Sequence, residues 1–179
     1  MKITADFSGR EQALVELFVT TFTASEGADE GALIGGLVRD LLSETPTDDI
    51  RVFFVEEEGS ITAAAIFTRL IYPADPHIVF LLSPMAVAPD RQRRGIGQAL
   101  LRHALQALHS QAVQIAMTYG DPSFYGQVGF VSVAEDQVPP PMPLSFPHGW
   151  IGQPLTDDRM PILKGPSTCV SALNRSDVW

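Results

Sequence analysis

Between Met85 and Gln98 the chain runs from an apolar stretch, Met85-Ala86-Val87-Ala88, through a basic loop, Pro89-Asp90-Arg91-Gln92-Arg93-Arg94, into Gly95-Ile96-Gly97-Gln98 at the head of a helical pattern. Those residue types in that order suit an anion. Amides at a helix N-terminus lack acceptors within the helix and carry the positive end of its dipole, so they take phosphate oxygens, and glycines let the backbone come close. Arginine adds planar, multi-donor contacts for the remaining phosphate charge. Arg91, Arg93 and Arg94 place three of the chain's twelve Lys and Arg residues within four positions, in a chain of formal charge −9. A diphosphate is the group that such a loop accommodates.

Two common phosphate loops do not match. A P-loop ends in Gly-Lys-Ser/Thr, whereas Gly97 is followed by Gln98-Ala99. A dinucleotide fingerprint needs Gly or Ala where Leu100 stands, and its strand enters the first glycine almost directly. A glycine-assisted helix start beside a basic turn is the plain alternative for Gly95-Ile96-Gly97 taken alone.

The elements that would hold this loop follow from periodicity. Residues 10–22 put Leu14, Leu17, Phe18, Thr21 and Phe22 on one helical face. A second helix carries Leu33, Ile34, Leu37, Val38, Leu41 and Leu42, with Asp29 placed as its cap. Gly35 and Gly36 in its middle point to close packing or to a position under a substrate opening. Residues 50–55, 61–72 and 78–88 read as three consecutive antiparallel strands, with Glu56-Glu57-Glu58-Gly59-Ser60 as a solvated turn. Pro84 cannot donate to a ladder and predicts a bulge or a place where neighbouring strands separate. From Ile96 to Ser110 the inward set is Ile96, Leu100, Leu101, Ala104, Leu105 and Leu108. A strand over 112–118, a short helix capped by Asp121 with Pro122 first, and a strand after Gly129-Phe130 read as a strand–helix–strand unit, which implies a central parallel pair. Beyond Val133, a proline-rich loop at 138–143 leads to a possible last strand at 168–173.

Bulk properties narrow the function classes. With 179 residues, 45% hydrophobic and 18% charged, the chain is expected to form one globular domain over 1–179. Cys169 is the only cysteine, and His77, His103, His109 and His148 show no ligand spacing with carboxylates, so no metal is expected. The acidic balance disfavours nucleic acid and favours a cationic acceptor. No apolar run is long enough for a membrane span, and Met1–Asp6 lacks the pattern of a secretory leader, which favours a cytoplasmic location.

Gln92, Gly95 and Gly97, set after a strand and before a helix, match the Gln/Arg-x-x-Gly-x-Gly/Ala signature, and Phe124-Tyr125 with Gly129-Phe130 match a second feature. On these residues the chain resembles the GNAT N-acetyltransferase superfamily, over about residues 1–133, and Tyr119–Tyr125 resembles the YhbS-like branch of predicted N-acetyltransferases. The resemblance implies an α/β GNAT fold: a mixed, mostly antiparallel sheet with a central parallel pair splayed at the cofactor site and helices on both faces. It implies acetyl-CoA as cosubstrate and an amine acceptor, on a small molecule or a protein. Met85, Ala86 and Val87 would line the pantetheine arm. Arg91, Gln92, Arg93, Arg94, Gly95, Ile96, Gly97 and Gln98 would take the pyrophosphate, with Phe124 beside the cofactor and Tyr125 as the acid that protonates the departing thiolate. Many members place an Asn where this chain has Thr118. Glu56, Glu57, Glu58 and Asp121 are the carboxylates available as a base, with a water relay as the other route. A non-catalytic acyl-CoA-binding sensor or regulatory module is the alternative reading, and on either reading a homodimer would form through the C-terminal strand and loop.

Overall fold

A single glycine separates the first two helices in the computed structural model, which describes residues 1–156 and 159–179. Gly27, at φ 100°, ends α1 (Glu11–Glu26) and precedes α2 (Ala28–Glu44). A side chain rarely adopts that φ, so glycine allows the reversal. Asp29 therefore lies in the first turn of α2, where its charge meets the helix dipole, and is not the cap that the sequence pattern suggests. The remaining elements are β1 (Lys2–Thr4), β2 (Ile50–Glu57), β3 (Ser60–Leu70), β4 (Val79–Val87), α3 (Ile96–Ser110), β5 (Ile115–Tyr119), α4 (Pro122–Tyr125), β6 (Val131–Ser132) and β7 (Trp150–Pro154). The strands are hydrogen-bonded in the order β1-β2-β3-β4-β5-β7-β6. β4 and β5 are parallel, from Val79 opposite Ile115 to Leu82 opposite Thr118, while β1–β2, β5–β7 and β6–β7 are antiparallel. The fold is α/β, a mixed sheet with a parallel pair, as expected.

The chain forms two compact units, one of residues 1–67 and 84–104, the other of residues 68–83 and 105–179. In the first, Leu14, Leu17, Phe18 and Thr21 of α1 are buried, as are Ile34, Leu37, Val38 and Leu41 of α2. A Cβ on Gly35 would run into the Val19 side chain, whereas one on Gly36 would meet nothing within 4 Å. Close helix packing thus accounts for Gly35. The β2–β3 turn is the pair Glu58-Gly59, both left-handed at φ 52° and 82°, the conformation that matches strand twist in a two-residue hairpin. Glu56 and Glu57 belong to β2 and are not part of a solvated turn. Glu56 Oε1 accepts from Arg10 Nη2 at 2.6 Å, and Glu57 faces Arg91 at 3.9 Å.

In the second unit, β5 begins at Ile115, not at Ala112, because Ala112 takes φ 64° where the chain leaves α3. The parallel connection is β4–α3–β5. The strand–helix–strand unit expected around α4 does not pair its own strands, since β7 lies between β5 and β6. The last strand is β7, and the 168–173 segment supplies only a bridge from Thr168 to Ile71 followed by a 3-10 turn. Gly152 hides β7 from pattern reading, yet a Cβ there would lie 3.0 Å from Ala116 O and run into Met117, so close pairing with β5 requires glycine. Trp150 of β7 is fully buried and donates its Nε1–H to Val138 O at 2.8 Å, anchoring the start of the proline-rich loop.

Candidate active site

The burial of β4 changes at Pro84. Val79 through Leu82 are buried on both faces, whereas from Ser83 onward exposure alternates: Ser83, Met85 and Val87 are half-open while Pro84 and Ala86 are buried. The β4–β5 ladder runs to Leu82 and Thr118 and does not include Pro84. That is the physical signature of a strand whose second half has lost a neighbour, and proline, which has no N–H to offer, stands at the change. Met85 and Val87 share the open face; Ala86 points into the core.

After Val87 the chain makes a 3-10 turn over Pro89–Arg91 and then a tight loop. Gln92 Nε2 donates to Val87 O at 3.0 Å, and Ala88 N donates to Thr62 O at 2.8 Å, so both ends of the turn are tied to the sheet. Gln92 thus spends its side-chain amide on the loop itself. Arg93 has φ 60° and Gly95 has φ 77°, with Arg94 between them outside the left-handed region. Alternation of left- and right-handed residues is the pattern by which successive N–H groups form a concave anion nest, and the positive φ on either side of Arg94 is in keeping with it. The first bond closing α3 runs from Ala99 N to Gly95 O at 3.0 Å, so the amides of Ile96 and Gly97 precede the helix ladder and extend the nest.

The three arginines divide into two kinds. Arg91 is half-buried between Glu57, at 3.9 Å, and Asp90, at 3.4 Å. Together with Met1, Lys2, Glu56, Glu57 and Glu58 it lines a depression of about 490 Å³. Arg93 and Arg94 are exposed, and neither makes an ion pair among the described residues. Gln98 is half-buried on the first turn of α3.

Tyr125 belongs to the other unit. Asp121 caps α4, accepting from Ser123 N at 2.9 Å, and Pro122 opens the helix, as its sequence predicts. The Tyr125 ring meets Phe124 edge-on at 5.0 Å and Phe130 at 5.7 Å. A Cβ on Gly120 would lie 2.7 Å from Tyr125 Cε2, so glycine at 120 clears the space that the ring fills. The Thr118 hydroxyl donates to Leu82 O at 2.9 Å. Burial pushes the Tyr125 phenol up to about 12; the Thr118 hydroxyl pulls it down, and the Asp121 charge adds to the rise. Thr118 was legible only as a departure from the family's Asn, and its link to Tyr125 has no sequence signal.

Three of the carboxylates considered as bases are committed elsewhere. Glu56 is bound to Arg10 and Glu57 to Arg91. Asp121 is held below the usual carboxylate range by the hydroxyl and amide of Ser123. Among the described residues no group of three or more His, Cys, Asp or Glu converges as a metal site would, and no helix is long and apolar enough to cross a membrane.

Comparison with known proteins bears on the same segments. Residues 48–132 match the family model described as an acetyltransferase (GNAT) domain. An uncharacterised N-acetyltransferase, YjhQ of Escherichia coli (strain K12), is 29% identical over 129 residues, covering 69% of this chain and 71% of that protein. The fold is similar to that of the GNAT family N-acetyltransferase YhbS of Escherichia coli, solved in complex with CoA. That likeness has a TM-score of 0.80 and 18% identity, covering 98% of this chain and 92% of the other. A GNAT family acetyltransferase of Brucella melitensis, solved with acetyl-CoA, is similar at TM-score 0.74 and 18% identity, with 97% of each chain covered. The signature at 92–97 thus lies inside the segment that matches the GNAT acetyltransferase domain, and the mixed sheet around it is the fold of the solved GNAT structures.

Proposed function

We propose that the chain transfers an acetyl group from acetyl-CoA to a primary amine by direct attack of the neutral amine on the thioester carbonyl. The observation that carries this reading is the loop at Arg93–Gly95, set against the first amides of α3, with two exposed arginines that make no ion pair among the described residues. It has the charge and backbone geometry for a pyrophosphate. The CoA and acetyl-CoA bound to the similar YhbS and Brucella melitensis proteins support the same choice of donor. Arg93, Arg94, Gly95, Ile96, Gly97 and Gln98 would hold the pyrophosphate, with Gln92 bracing the loop and Arg91 bracing its approach. The open face of β4 at Met85 and Val87, with Ala86 between them, would take the pantetheine arm, and Phe124 would pack beside the cofactor.

Tyr125 is the acid in this scheme. Its raised pKa of about 12 keeps the phenol protonated at neutral pH, which is the state that an acid requires. A thiolate whose conjugate acid lies near ~8.5 draws that proton only if sulfur is desolvated or the phenolate is helped, so the site must supply one or both. The base is a water relay or Glu58, since Glu56, Glu57 and Asp121 are engaged.

The test is calorimetric titration of the purified protein with acetyl-CoA, alongside Gly97→Glu, which puts a carboxylate at the head of α3. Saturable binding in the parent and none in Gly97→Glu is expected. Absence of binding at near-millimolar acetyl-CoA overturns the proposal. With binding established, release of free CoA thiol in the presence of primary amines reports turnover.

A further inference from the structure

Tyr119 ends β5 opposite Trp150 of β7, one residue past the last rung that β5 shares with β4. Its ring and its hydroxyl are both held. Trp179, 6% exposed, stacks on the ring with centroids 6.3 Å apart and planes 19° from parallel. Trp179 is itself fixed: its Nε1–H donates to Leu173 O at 2.9 Å, its carbonyl accepts from Ser145 Oγ at 2.6 Å, and its ring tilts against Trp150 at 6.2 Å. The Tyr119 hydroxyl accepts from Phe146 N at 2.6 Å. A 3-10 turn over Pro147–Gly149 then brings Gly149 O to Gly120 N at 3.0 Å. A Cβ on Gly149 would lie 3.2 Å from Tyr119 Cε2 and 3.3 Å from Gly120 O, so the 146–149 segment lies directly against Tyr119 and Gly120.

These contacts fix more than a strand end. Asp121 follows Gly120 at once, and α4 hangs from it: Phe124 N and Tyr125 N both donate to Asp121 O at 3.2 Å. A four-residue helix has too few bonds to hold itself, so its place is inherited from its surroundings. The Tyr125 ring also rests on Gly120, where an added Cβ would lie 2.7 Å from Tyr125 Cε2. Upstream of the phenol, the fixed points nearest to it are therefore Tyr119 and Gly120.

We propose that Tyr119, clamped between Trp179 and the 146–149 segment, is the positioning residue for Tyr125: it holds the Gly120 wall and the Asp121 anchor from which the phenol is presented. The inference rests on reading Tyr125 as the acid of acetyl transfer. An acid must stand within hydrogen-bond reach of the departing sulfur, and a misplacement of about 1 Å set up away from the chemistry can cost about 100-fold in rate. Tyr119 takes no part in the proton transfer; it acts through the backbone that carries Tyr125.

The test places a ring-fluorinated tyrosine at position 125 of the full chain and follows its fluorine resonance. Tyr119→Leu removes the stacked ring and the hydroxyl, and Trp179→Leu removes the stack from the other side. Tyr119→Phe keeps the ring and removes only the oxygen that accepts from Phe146 N, so it stays informative if the larger changes prevent folding. The resonance should shift and broaden most in Tyr119→Leu and Trp179→Leu, and measurably less in Tyr119→Phe. A fluorinated tyrosine at position 72, in the same unit with its hydroxyl on Pro139 O, is the control and should keep its resonance in the Tyr119 variants. A Tyr125 resonance that keeps its parent position in every variant that folds overturns the proposal. An equal change at position 72 overturns it too, since that is general loosening. Failure of the acid reading looks different: Tyr125→Phe leaves acetyl transfer unchanged, while the resonance still answers to Tyr119.

Discussion

Replacing Arg93 with glycine should make the protein more stable and bind acetyl-CoA less tightly. An L-residue in the left-handed region costs roughly 1–2 kcal/mol, because its Cβ crowds the following carbonyl. Arg93 sits there at φ 60°, exposed and without an ion pair among the described residues to offset that cost. Glycine removes the crowding but gives the unfolded chain more freedom, which takes back about 0.4–1 kcal/mol. The balance is about 0.5–1 kcal/mol of added stability, or roughly 1–4 °C in Tm for a chain of this size. The same change removes a guanidinium from the phosphate nest. At the lower end of the value of a charge-assisted hydrogen bond, that weakens binding by about tenfold. Asparagine tolerates the left-handed region better than most side chains. Arg93→Asn should therefore share the loss of affinity while keeping the backbone in place. Thermal unfolding without ligand and calorimetric titration with acetyl-CoA read the two effects separately. A lower Tm for Arg93→Gly would refute the strain argument, and unchanged affinity in both variants would refute the role of the side chain.

Gly35→Val should drive a side chain into Val19 of α1, costing about 2 kcal/mol and lowering Tm by roughly 4–8 °C, whereas Gly36→Ala, with open space around it, should raise stability by about 0.5–1 kcal/mol. Equal effects at the two positions in thermal melts would contradict the helix packing described. Burial raises the phenol pKa of both Tyr72 and Tyr125. The unfolded chain gives up these protons first, near pH ~10, so the stability they contribute is whole below that pH and is lost as pH rises through the folded values. Denaturant titrations across this range should show a decline that Tyr125→Phe makes shallower from about pH 10 upward; an unchanged slope would mean that the phenol is not shielded.

What could be read beforehand divides along a physical line. Helix α3 was legible to the residue, because a long amphipathic segment states its period several times over, and Asp121-Pro122 announced its helix through local chemistry. The tight loop before α3 was legible because glycine at 95 announces the left-handed backbone that the chain adopts there. Strand β7 was not, since Gly152 and Pro154 speak against a strand and only close contact with Met117 and Ala116 explains the glycine. The β5–α4–β6 segment was misread for a related reason: sequence order says nothing about a later strand entering between two earlier ones. Nor could the sequence separate Arg91 from Arg93 and Arg94, because the difference lies in where Glu57 stands across the hairpin.

Both units draw on two separated stretches of chain, so no single cut divides one from the other: a fragment ending at residue 83 lacks the loop and half-helix of the first unit, and one beginning at 84 lacks the first half of β4 from the second. The Arg93–Gly95 loop and the Tyr125 phenol, encoded about thirty positions apart, lie in different units, and a fragment that carries one unit whole brings part of the other with it.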